Sequence, residues 1–434
     1  MIKIGFISLG CAKNLVDSEY IIGMFDKKRF EISNKPKECD VIVINTCGFI
    51  LSAKEESIAT ILEMAELKET AHLKKLIVTG CFAQRYHDEL VKEMPEVDAF
   101  IRIDDYARLD EILSEVLAVP FEKPYMETRN LITNNYYAYL KISEGCDNRC
   151  AYCAIPLIRG NCRSYPIEDC VKEAQRLYDL GVKELNVVAQ DTTYYGHDIY
   201  GKFMLKELLD ELDKIPFKWI RVLYMYPDEM PDRLLVAMTG YKRVLPYFDI
   251  PTQYGNDVIL KWMNRRGSVK LIKQKIARIR ELFENPIIRT TLIVGFPHET
   301  EETFNDTLDF VKEIEFDSLG AFTYSKEDDT PAYDFDCEVP EELMQERYER
   351  LMALQQDILN AKNAKRIGQT FEVLVEREES IFNRYVGRAY FSAPDGVDGM
   401  IYINSERPLQ LGEFYNVEID RIKGYDFFGH VVEE

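Results

Sequence analysis

Residues 144–153 read Glu144-Gly-Cys146-Asp-Asn-Arg-Cys150-Ala-Tyr152-Cys153, and Ala-Ile-Pro-Leu-Ile-Arg159-Gly follows. The three cysteines stand at a C-x-x-x-C-x-x-C spacing, directly after a strand-like run from Tyr137 to Ser143. Thiolates this close on one irregular loop can all face one metal centre. A tetrahedral zinc site needs a fourth ligand, and no second cysteine pair lies nearby. An iron–sulfur cube has four corners, so the spacing favours a four-iron cluster with one open iron over a zinc knuckle or three unrelated buried thiols.

The length and composition indicate an ordinary globular protein of two or three domains, since the chain has 434 residues. No apolar run approaches the length of a membrane span, and the first residues resemble a buried strand more than a signal peptide. Ten cysteines in an unsecreted chain favour reduced thiols and metal over a disulfide framework. We therefore expect a cytoplasmic protein with no membrane partner.

The net charge of −21 bears on the partner. Proteins that neutralise phosphates usually carry a basic patch, so overall acidity disfavours bulk affinity for nucleic acid. A local basic groove stays compatible with this charge. A basic protein is the better expectation for a macromolecular partner.

The first segment, residues 1–117, alternates strands with helices and predicts a parallel sheet with helices on its faces. Its strands are expected at Ile2 to Leu9, Val41 to Asn45, Leu76 to Thr79 and Ala99 to Ile103. Cysteines follow the first three of these strands, at Cys11, Cys47 and Cys81. In open parallel sheets ligands bind at the carboxyl edge, where these thiols would meet. We predict a second metal cluster there, with three buried structural cysteines as the alternative.

A linker is predicted at residues 118–135, and a second α/β domain at residues 136–365. Six strand candidates lie in that domain: Tyr137–Ser143, Glu184–Ala189, Ile220–Tyr224, Tyr247–Ile250, Arg289–Val294 and Ser318–Tyr324. Six β/α units predict a partial (β/α)6 barrel, whose functional residues belong at the carboxyl ends of the strands. The stretch Gly295-Phe-Pro-His-Glu299 follows one of these strands, although Gly295 and Pro297 could also be plain turn residues.

The last segment begins after a long helix, predicted from Glu341 to Arg366. Residues 366–434 then show short alternating strands with Gly, Asn and Asp at the turns, which predicts a small antiparallel β-barrel. This segment has seven Lys or Arg and thirteen Asp or Glu, a net charge of −6. Such a charge does not suit nucleic acid. The acidic run Glu376 to Glu379 is expected to be a solvated face.

The whole chain resembles the methylthiotransferases, a family of radical S-adenosylmethionine enzymes with a cluster domain, a radical core and a terminal TRAM domain. The cysteine loop at residues 144–153 carries the resemblance to the superfamily. The leader Ser8-Leu-Gly-Cys11-Ala-Lys-Asn-Leu-Val-Asp-Ser-Glu19 closely resembles the RimO branch. Three further stretches point the same way: Asp249-Ile-Pro-Thr-Gln253, Ala321-Phe-Thr-Tyr-Ser325 and Ala393-Pro-Asp-Gly-Val-Asp-Gly399. Tyr254 departs from the histidine usual in the family, so no role is assigned to it.

The resemblance implies two 4Fe-4S clusters and S-adenosyl-L-methionine as cofactors. The implied cluster ligands are Cys146, Cys150 and Cys153 for one cluster, and Cys11, Cys47 and Cys81 for the other. At the first, one electron splits the cofactor into methionine and a 5′-deoxyadenosyl radical, which takes hydrogen from the β-carbon of an aspartate. The second would hold sulfur, accept a methyl group and deliver the methylthio unit.

The resemblance also implies further contacts and partners. Tyr152 would lie against the adenine, and Gln190 and Gly295 would line the cofactor pocket, although Gln190 could equally be a satisfied polar residue at a strand end. No catalytic side chain is assigned. The implied partners are small-subunit ribosomal protein S-twelve, or the ribosomal subunit that presents it, and a low-potential electron donor such as flavodoxin or ferredoxin.

Two other functions stay open at this stage. A transfer-RNA adenosine methylthiotransferase of the MiaB type would share the clusters but bind nucleic acid in a salt-dependent way. A zinc-stabilised binding module would have no catalysis and no colour. Four cysteines match no ligand of the family and are expected to be small buried hydrophobes: Cys39, Cys162, Cys170 and Cys337.

Overall fold

The computed structural model describes residues 1–380 and 383–432, which form two compact units. The first unit comprises Met1–Ile132, Glu144–Cys162 and Ser325–Tyr333. The second comprises Thr133–Ser143, Arg163–Tyr324 and Asp334–Glu434. The domain boundaries expected at residues 117, 135 and 365 stay predictions.

The first unit is built on a five-stranded parallel sheet in the order β2-β1-β3-β4-β5. Its strands are β1 Ile2–Ser8, β2 Phe30–Ile32, β3 Val41–Thr46, β4 Lys75–Gly80 and β5 Ala99–Ile101. Its helices are α1 Ala12–Gly23, α2 Leu51–Ala65, α3 Leu67–Thr70, α4 Cys81–Arg85, α5 His87–Glu93, α6 Leu109–Leu117 and α7 Ile155–Arg159, with 3-10 turns at Pro36–Glu38 and Ile103–Arg108. The predicted parallel sheet is confirmed, and the short edge strand β2 was not predicted.

Both faces of this sheet are covered, which explains why β3 is apolar along most of its length. Val41 and Val43 face one hydrophobic core, whereas Ile42 and Ile44 face the other. Successive side chains of a strand point to opposite faces, so a strand covered on both sides needs a continuous apolar run. All six residues of β3 are buried. The fold of this unit therefore brings the carboxyl ends of β1, β3 and β4 together at one edge.

The second unit contains a six-stranded parallel sheet in the order β13-β12-β11-β10-β9-β6, in which each strand pairs with the next large strand along the chain. Its strands are β6 Tyr137–Lys141, β9 Glu184–Val188, β10 Trp219–Val222, β11 Val244–Asp249, β12 Ile287–Val294 and β13 Ser318–Thr323, and the short strands β7 Ser143–Glu144 and β8 Arg163–Ser164 form a separate pair. Its helices are α8 Ile167–Asp179, α9 His197–Tyr200, α10 Leu205–Leu212, α11 Asp232–Met238, α12 Asp257–Trp262, α13 Val269–Leu282, α14 Glu301–Ile314 and α15 Glu341–Ala364, with a 3-10 turn at Pro227–Glu229. A further 3-10 turn, Pro331–Asp334, starts within the first unit's segment Ser325–Tyr333. The predicted partial (β/α)6 barrel is confirmed.

The long helix α15 packs against α14 and β13 through one stripe of its surface. The buried residues of this stripe recur every four positions: Arg347, Leu351, Gln355, Leu359 and Asn363. Leu343, Leu354 and Ile358, whose spacing in the sequence predicts that they share a packing face with Leu351, lie beside this stripe and are only half-buried. A polar Gln355 sits inside it because its amide donates to the carbonyl of Phe316 at 3.1 Å.

The chain ends in a small closed barrel of five strands in the order β14-β15-β16-β18-β17. The strands are β14 Thr370–Glu378, β15 Arg384–Arg388, β16 Ile401–Asn404, β17 Phe414–Lys423 and β18 Asp426–Val431. The predicted small barrel is confirmed with one difference, because β16 and β18 pair in parallel. The other four pairings are antiparallel as expected.

A buried ionic network joins this barrel to the sheet of the second unit. Glu184 lies between two arginines, accepting from Arg221 at 2.8 Å and from Arg388 at 2.6 Å, and all three side chains are fully buried. Arg388 also binds Glu376 at 2.7 Å, and Glu376 is 9% exposed. The expectation that Glu376 to Glu379 form a solvated face is therefore wrong for Glu376, because its carboxylate compensates a buried arginine.

We expect Glu184→Ala to lower the free energy of unfolding by about 3–5 kcal/mol, because it leaves two buried guanidinium groups short of a carboxylate. Urea denaturation of the apo protein measures this change. Glu413→Ala is the matched control, since Glu413 pairs with Lys183 at 3.2 Å but is 45% exposed, and exposed pairs contribute about 0–1 kcal/mol. Equal losses of unfolding free energy in the two variants would show that the buried network stabilises the fold no more than an exposed ion pair does.

Candidate metal centre

The three amino-terminal cysteines lie at the ends of three adjacent strands. Cys11 caps the start of α1 just after β1, Cys47 follows β3, and Cys81 is the first residue of α4, directly after β4. Gly10 has φ +86°, and a Cβ there would lie 2.8 Å from the Cβ of Cys47. A glycine before Cys11 is thus needed for the first two cysteine loops to approach each other. The predicted meeting of these loops at the carboxyl edge is observed.

Asn14 connects all three of these loops through its side-chain amide. Its Nδ2 donates to the carbonyls of Leu9 at 3.1 Å and Thr46 at 2.9 Å. Its Oδ1 accepts from the thiol of Cys81 at 3.3 Å. Asn14 is fully buried, so these bonds have no competition from water. One side chain therefore sets the spacing of three cysteine loops.

The pKa values of the three thiols reflect their mutual proximity. Burial, together with the neighbouring Cys81 and Cys11, raises the pKa of Cys47 to about 11. Burial also raises the pKa of Cys81, partly offset by Arg159. Desolvation acts to raise the pKa of Cys11, but the cations of Lys13 and Arg159, with backbone hydrogen bonds from Asn14 and Lys13, together outweigh it and lower the pKa. Thiolates that repel one another in this way fit ligation of a cationic centre, which removes the repulsion.

The second cysteine set lies on a loop that folds back on itself. The amide of Cys146 donates to the carbonyl of Gly160 at 3.1 Å, and the amide of Cys153 donates to that of Cys150 at 3.0 Å. Gly145 has φ +68°, and a Cβ there would lie 2.1 Å from the carbonyl oxygen of Asn161. Cys150 is buried, whereas Cys146 and Cys153 are half-buried. The three cysteines are thus held on one closed, irregular loop, which fits the ligation expected from their spacing.

Arg159 ends α7, six residues after Cys153, and reaches the amino-terminal cysteines. Its guanidinium donates to Asp17 at 2.9 Å and Asn14 at 2.6 Å, and its Nη2 lies 3.5 Å from the sulfur of Cys81. A second nitrogen donates to Glu144 at 2.8 Å. Burial acts to lower the pKa of Arg159, but Cys81, Glu144 and Asp17 raise it well above its usual value, so the group is always charged. Sequence reasoning assigned no role to this arginine, although it stands in the quoted motif.

A second group that sequence reasoning missed is Glu327, in the segment Ser325–Tyr333 of the first unit. Its carboxylate, 1% exposed, accepts from Lys54 at 2.9 Å and Arg85 at 2.8 Å. Arg85 also donates to the carbonyl of Gly48 at 3.2 Å. Glu327 therefore ties together α2 and α4, the helices that follow Cys47 and begin at Cys81. Only the position of this acidic stretch after a predicted strand hinted at such a role.

The three residues predicted to contact the cofactor lie just after strands or on the cysteine loop. Gln190 follows β9 and is half-buried, Gly295 follows β12 directly, and Tyr152 lies on the cysteine loop of the first unit. The amide of Gly295 donates to Glu299 at 2.9 Å. Tyr254 is fully buried, and burial raises the pKa of its phenol, with Glu299 beside it. Tyr254 therefore packs behind the Gly295 turn. The assignment of Tyr152, Gln190 and Gly295 to a cofactor stays a prediction.

The four remaining cysteines do not all behave as expected. Cys39, Cys162 and Cys170 are buried, at 0%, 8% and 2% exposure, as predicted for small hydrophobes. Cys337 is exposed, so the same expectation is wrong for it. Its backbone has φ +61°, and its carbonyl accepts from the amide of His298 at 3.1 Å. Cys337 belongs to a tight turn rather than to a core.

Three carboxyl groups cluster at the carboxyl edge of the second unit's sheet. Glu229 follows β10, is 7% exposed and lies 2.7 Å from Arg266. Burial raises the pKa of Glu229 to about 8, and the neighbouring Asp191 outweighs the opposing effect of Arg266. Burial likewise raises the pKa of Asp228 to about 6. Burial and Asp191 therefore favour the protonated form of Glu229 at neutral pH.

This protonation predicts a pH-dependent effect of Glu229→Gln. The pKa of Glu229 is raised in the folded protein, so the unfolded chain releases this proton more readily. The parent therefore keeps its full stability below about pH 4.5 and loses stability as the pH rises toward 8. Glutamine mimics the protonated form, so the variant should gain on the order of 2 kcal/mol over the parent between pH 5 and pH 7. Urea denaturation at several pH values measures the difference.

Asp232→Asn provides the control for this experiment. A hydrogen bond from Arg278 lowers the pKa of Asp232, so that variant should lose stability against the parent as the pH rises out of the acid range. Parallel stability curves for Glu229→Gln and the parent would show that Glu229 is ionised throughout.

Three family models match the chain in sequence order. An uncharacterised protein family, UPF0004, matches residues 3–102, the radical SAM superfamily matches residues 140–311, and the TRAM domain matches residues 367–432. The fold is similar to that of the radical S-adenosylmethionine methyltransferase TsrM from Kitasatospora setae, with a TM-score of 0.58 at 11% identity over 83% of this chain and 90% of that one. The fold and the cysteine loop thus define a radical S-adenosylmethionine enzyme.

Curated relatives show which family of radical S-adenosylmethionine enzymes the chain belongs to. A "Ribosomal protein uS12 methylthiotransferase RimO" from Clostridioides difficile (strain 630) is 47% identical over 444 aligned positions that cover 100% of both chains. Proteins of the same name from Caldicellulosiruptor saccharolyticus and Aquifex aeolicus are 48% and 47% identical over at least 98% of each chain. The chain belongs to the RimO family of radical S-adenosylmethionine methylthiotransferases, which use S-adenosylmethionine and 4Fe-4S clusters.

The described residues, 1–380 and 383–432, contain no helix that is both long and apolar enough to cross a bilayer. The longest helix, α15, has 24 residues but is rich in charged side chains.

Proposed function

We propose that this enzyme transfers a methylthio group to the β-carbon of an aspartate in ribosomal protein uS12, the small-subunit protein S-twelve. The observation that carries the proposal is the pair of cysteine sets in one compact unit, each on closed loops, in a chain that aligns end to end with the RimO relatives. The names of those relatives supply the protein substrate. The transfer replaces one C–H bond of the aspartate with a C–S bond.

The six cysteines have separate roles in this proposal. Cys146, Cys150 and Cys153 hold one cluster, whose fourth iron binds S-adenosylmethionine, and Cys11, Cys47 and Cys81 hold the other. When bound, these groups supply the electron, the hydrogen-abstracting radical and the methylthio sulfur. The chain's own contribution is to fix the loops, through Asn14 and Glu327 on one side and the Cys146–Gly160 hydrogen bond on the other. Tyr152, Gln190 and Gly295 contact the cofactor.

The acidic surface supports a basic protein as the partner. The net charge is −21 for the chain and −6 for residues 366–434. Opposite charge on a partner accelerates association at low salt, whereas like charge repels phosphates. We also propose that a low-potential protein such as flavodoxin or ferredoxin supplies the electron, and that the reaction takes place in the cytoplasm, where ribosomal proteins are made.

Mass spectrometry of the modified macromolecule tests the substrate. Anaerobically reconstituted enzyme, S-adenosylmethionine, a sulfide source and a reductant are incubated either with small ribosomal subunits or with bulk transfer RNA. We expect a methylthio adduct on one aspartate of uS12 and none on transfer RNA. The control omits the reductant, and no adduct should then form. An adduct on transfer RNA alone would place the enzyme with the adenosine-modifying branch and refute the proposal.

A further inference from the structure

The guanidinium of Arg159 joins the two cysteine sets within the first unit. The residue belongs to the loop of Cys146, Cys150 and Cys153, yet its charged end lies among residues around Cys81. α7, which carries it, is anchored because Ala154 and Ile158 pack into the same hydrophobic core as Val43 and Ile77. Arg159 itself is 2% exposed. Its position is therefore fixed by packing and not by its charge alone.

The contacts of Arg159 leave it little freedom. Three nitrogen–oxygen hydrogen bonds, to Asp17, Asn14 and Glu144, fall between 2.6 and 2.9 Å. The planar fork of a guanidinium can make these bonds at once, which a lysine ammonium cannot do in the same geometry. The remaining contact is with the sulfur of Cys81 at 3.5 Å. A buried cation at this distance stabilises negative charge on the sulfur.

We propose that Arg159 is a positioning residue that holds Cys81 and sets the reduction potential of the cluster on Cys11, Cys47 and Cys81. The inference rests on the proposed function, because it assumes a cluster on those three residues. The potential of an iron–sulfur cluster depends on its net charge, on hydrogen bonds to its sulfurs and on burial. Reduction adds one negative charge, so the nearby cation of Arg159 favours the reduced state and raises the potential.

The charge balance gives the direction of the effect when Arg159 is replaced. Asp17 and Glu144 each share a hydrogen bond with Arg159, so a neutral side chain leaves both carboxylates without this cation beside Cys81. Arg159→Gln therefore replaces a positive field at the cluster with a negative one. The potential should become more negative. Arg159→Lys keeps the charge but loses the fork, so its potential should lie between those of Arg159→Gln and the parent.

The test uses a background in which Cys146, Cys150 and Cys153 are alanine, so that only the amino-terminal cluster contributes a signal. Redox titration monitored by electron paramagnetic resonance gives the potential, and iron analysis gives occupancy. Arg129→Gln is the matched control, because Arg129 is 4% exposed, lies in the same unit and pairs with Glu19 at 2.8 Å. We expect a more negative potential for Arg159→Gln and an unchanged one for Arg129→Gln.

Each outcome decides one question. A background protein that binds no iron refutes the cluster assignment, and with it the proposed function. Four irons with the same potential in Arg159→Gln as in the background refute only the role of Arg159. An equal shift in Arg129→Gln does the same, since it would show a general effect of losing a buried arginine. If circular dichroism shows that Arg159→Gln is unfolded, Arg159→Lys decides, and a potential equal to that of the background overturns the inference.

Discussion

Replacing Cys146, Cys150 and Cys153 together with alanine is expected to abolish reductive cleavage of S-adenosylmethionine and to lower the iron content from about eight to about four atoms per chain. In the proposed assignment the cofactor binds an iron that no protein ligand occupies, and the cluster on these three thiols is the one that would supply it. Cleavage is measured as 5′-deoxyadenosine formed under dithionite, and iron is measured colorimetrically after anaerobic reconstitution.

The control for this triple variant removes three other cysteines. Cys39, Cys170 and Cys337 have no predicted ligand role, so their joint replacement by alanine should leave iron near eight and cleavage unchanged. Cys39 and Cys170 are buried, and alanine there removes only a sulfur atom from the core. Undiminished cleavage in the Cys146/Cys150/Cys153 variant would show that these cysteines do not hold the cluster that cleaves S-adenosylmethionine.

Replacing Cys11, Cys47 and Cys81 with alanine should separate the two activities. Cleavage of S-adenosylmethionine is expected to persist, whereas methylthio transfer to uS12 should fall below detection, because the sulfur would have no cluster to bind. Iron should again drop to about four atoms. The measurement pairs the 5′-deoxyadenosine assay with mass spectrometry of uS12 from the same reaction.

Hydrogen abstraction without sulfur insertion would distinguish this variant from the Cys146/Cys150/Cys153 variant. Because Asn14 and Arg159 contact Cys81, the variant's fold is checked by circular dichroism before the assay. Parent-like transfer by a folded variant would mean that these three cysteines are structural. Loss of both activities in a folded variant would mean that the two cysteine sets do not act separately.

Much of the fold follows from the sequence because its strands have strong patterns. β3 is apolar on both faces, and β12 alternates toward its end, so both lie close to the predicted ranges. β2 was missed because it has only three residues, Phe30–Ile32, two of which are exposed. The parallel pairing of β16 with β18 could not be foreseen, because strand order in a closed barrel depends on contacts distant in sequence.

In the candidate site, too, some residues could be predicted from the sequence and others could not. The loop cysteines could be singled out from their spacing, and Cys11, Cys47 and Cys81 from their places after three predicted strands; their ligation of clusters stays a prediction. Arg159 and Glu327 could not, because an isolated arginine or glutamate gives no sign of its partners 78 or 242 residues away. Glu376 was wrongly predicted to be solvated, because it stands in an acidic run although it pairs with the buried Arg388. Charges that neutralise one another in the interior leave no local pattern in the sequence.

The packing of α7 bears on how such enzymes can be recombined. Family models separate the amino-terminal region, residues 3–102, from the radical core, residues 140–311, and invite an exchange of modules at a junction between them. Yet Ala154 and Ile158 complete the core of the amino-terminal sheet, and Glu144–Cys162 belongs to that unit. A chimera joined between residues 102 and 140 would therefore combine a cysteine loop with a core that it did not evolve against. Functional hybrids should require that residues 144–162 be inherited together with the amino-terminal sheet.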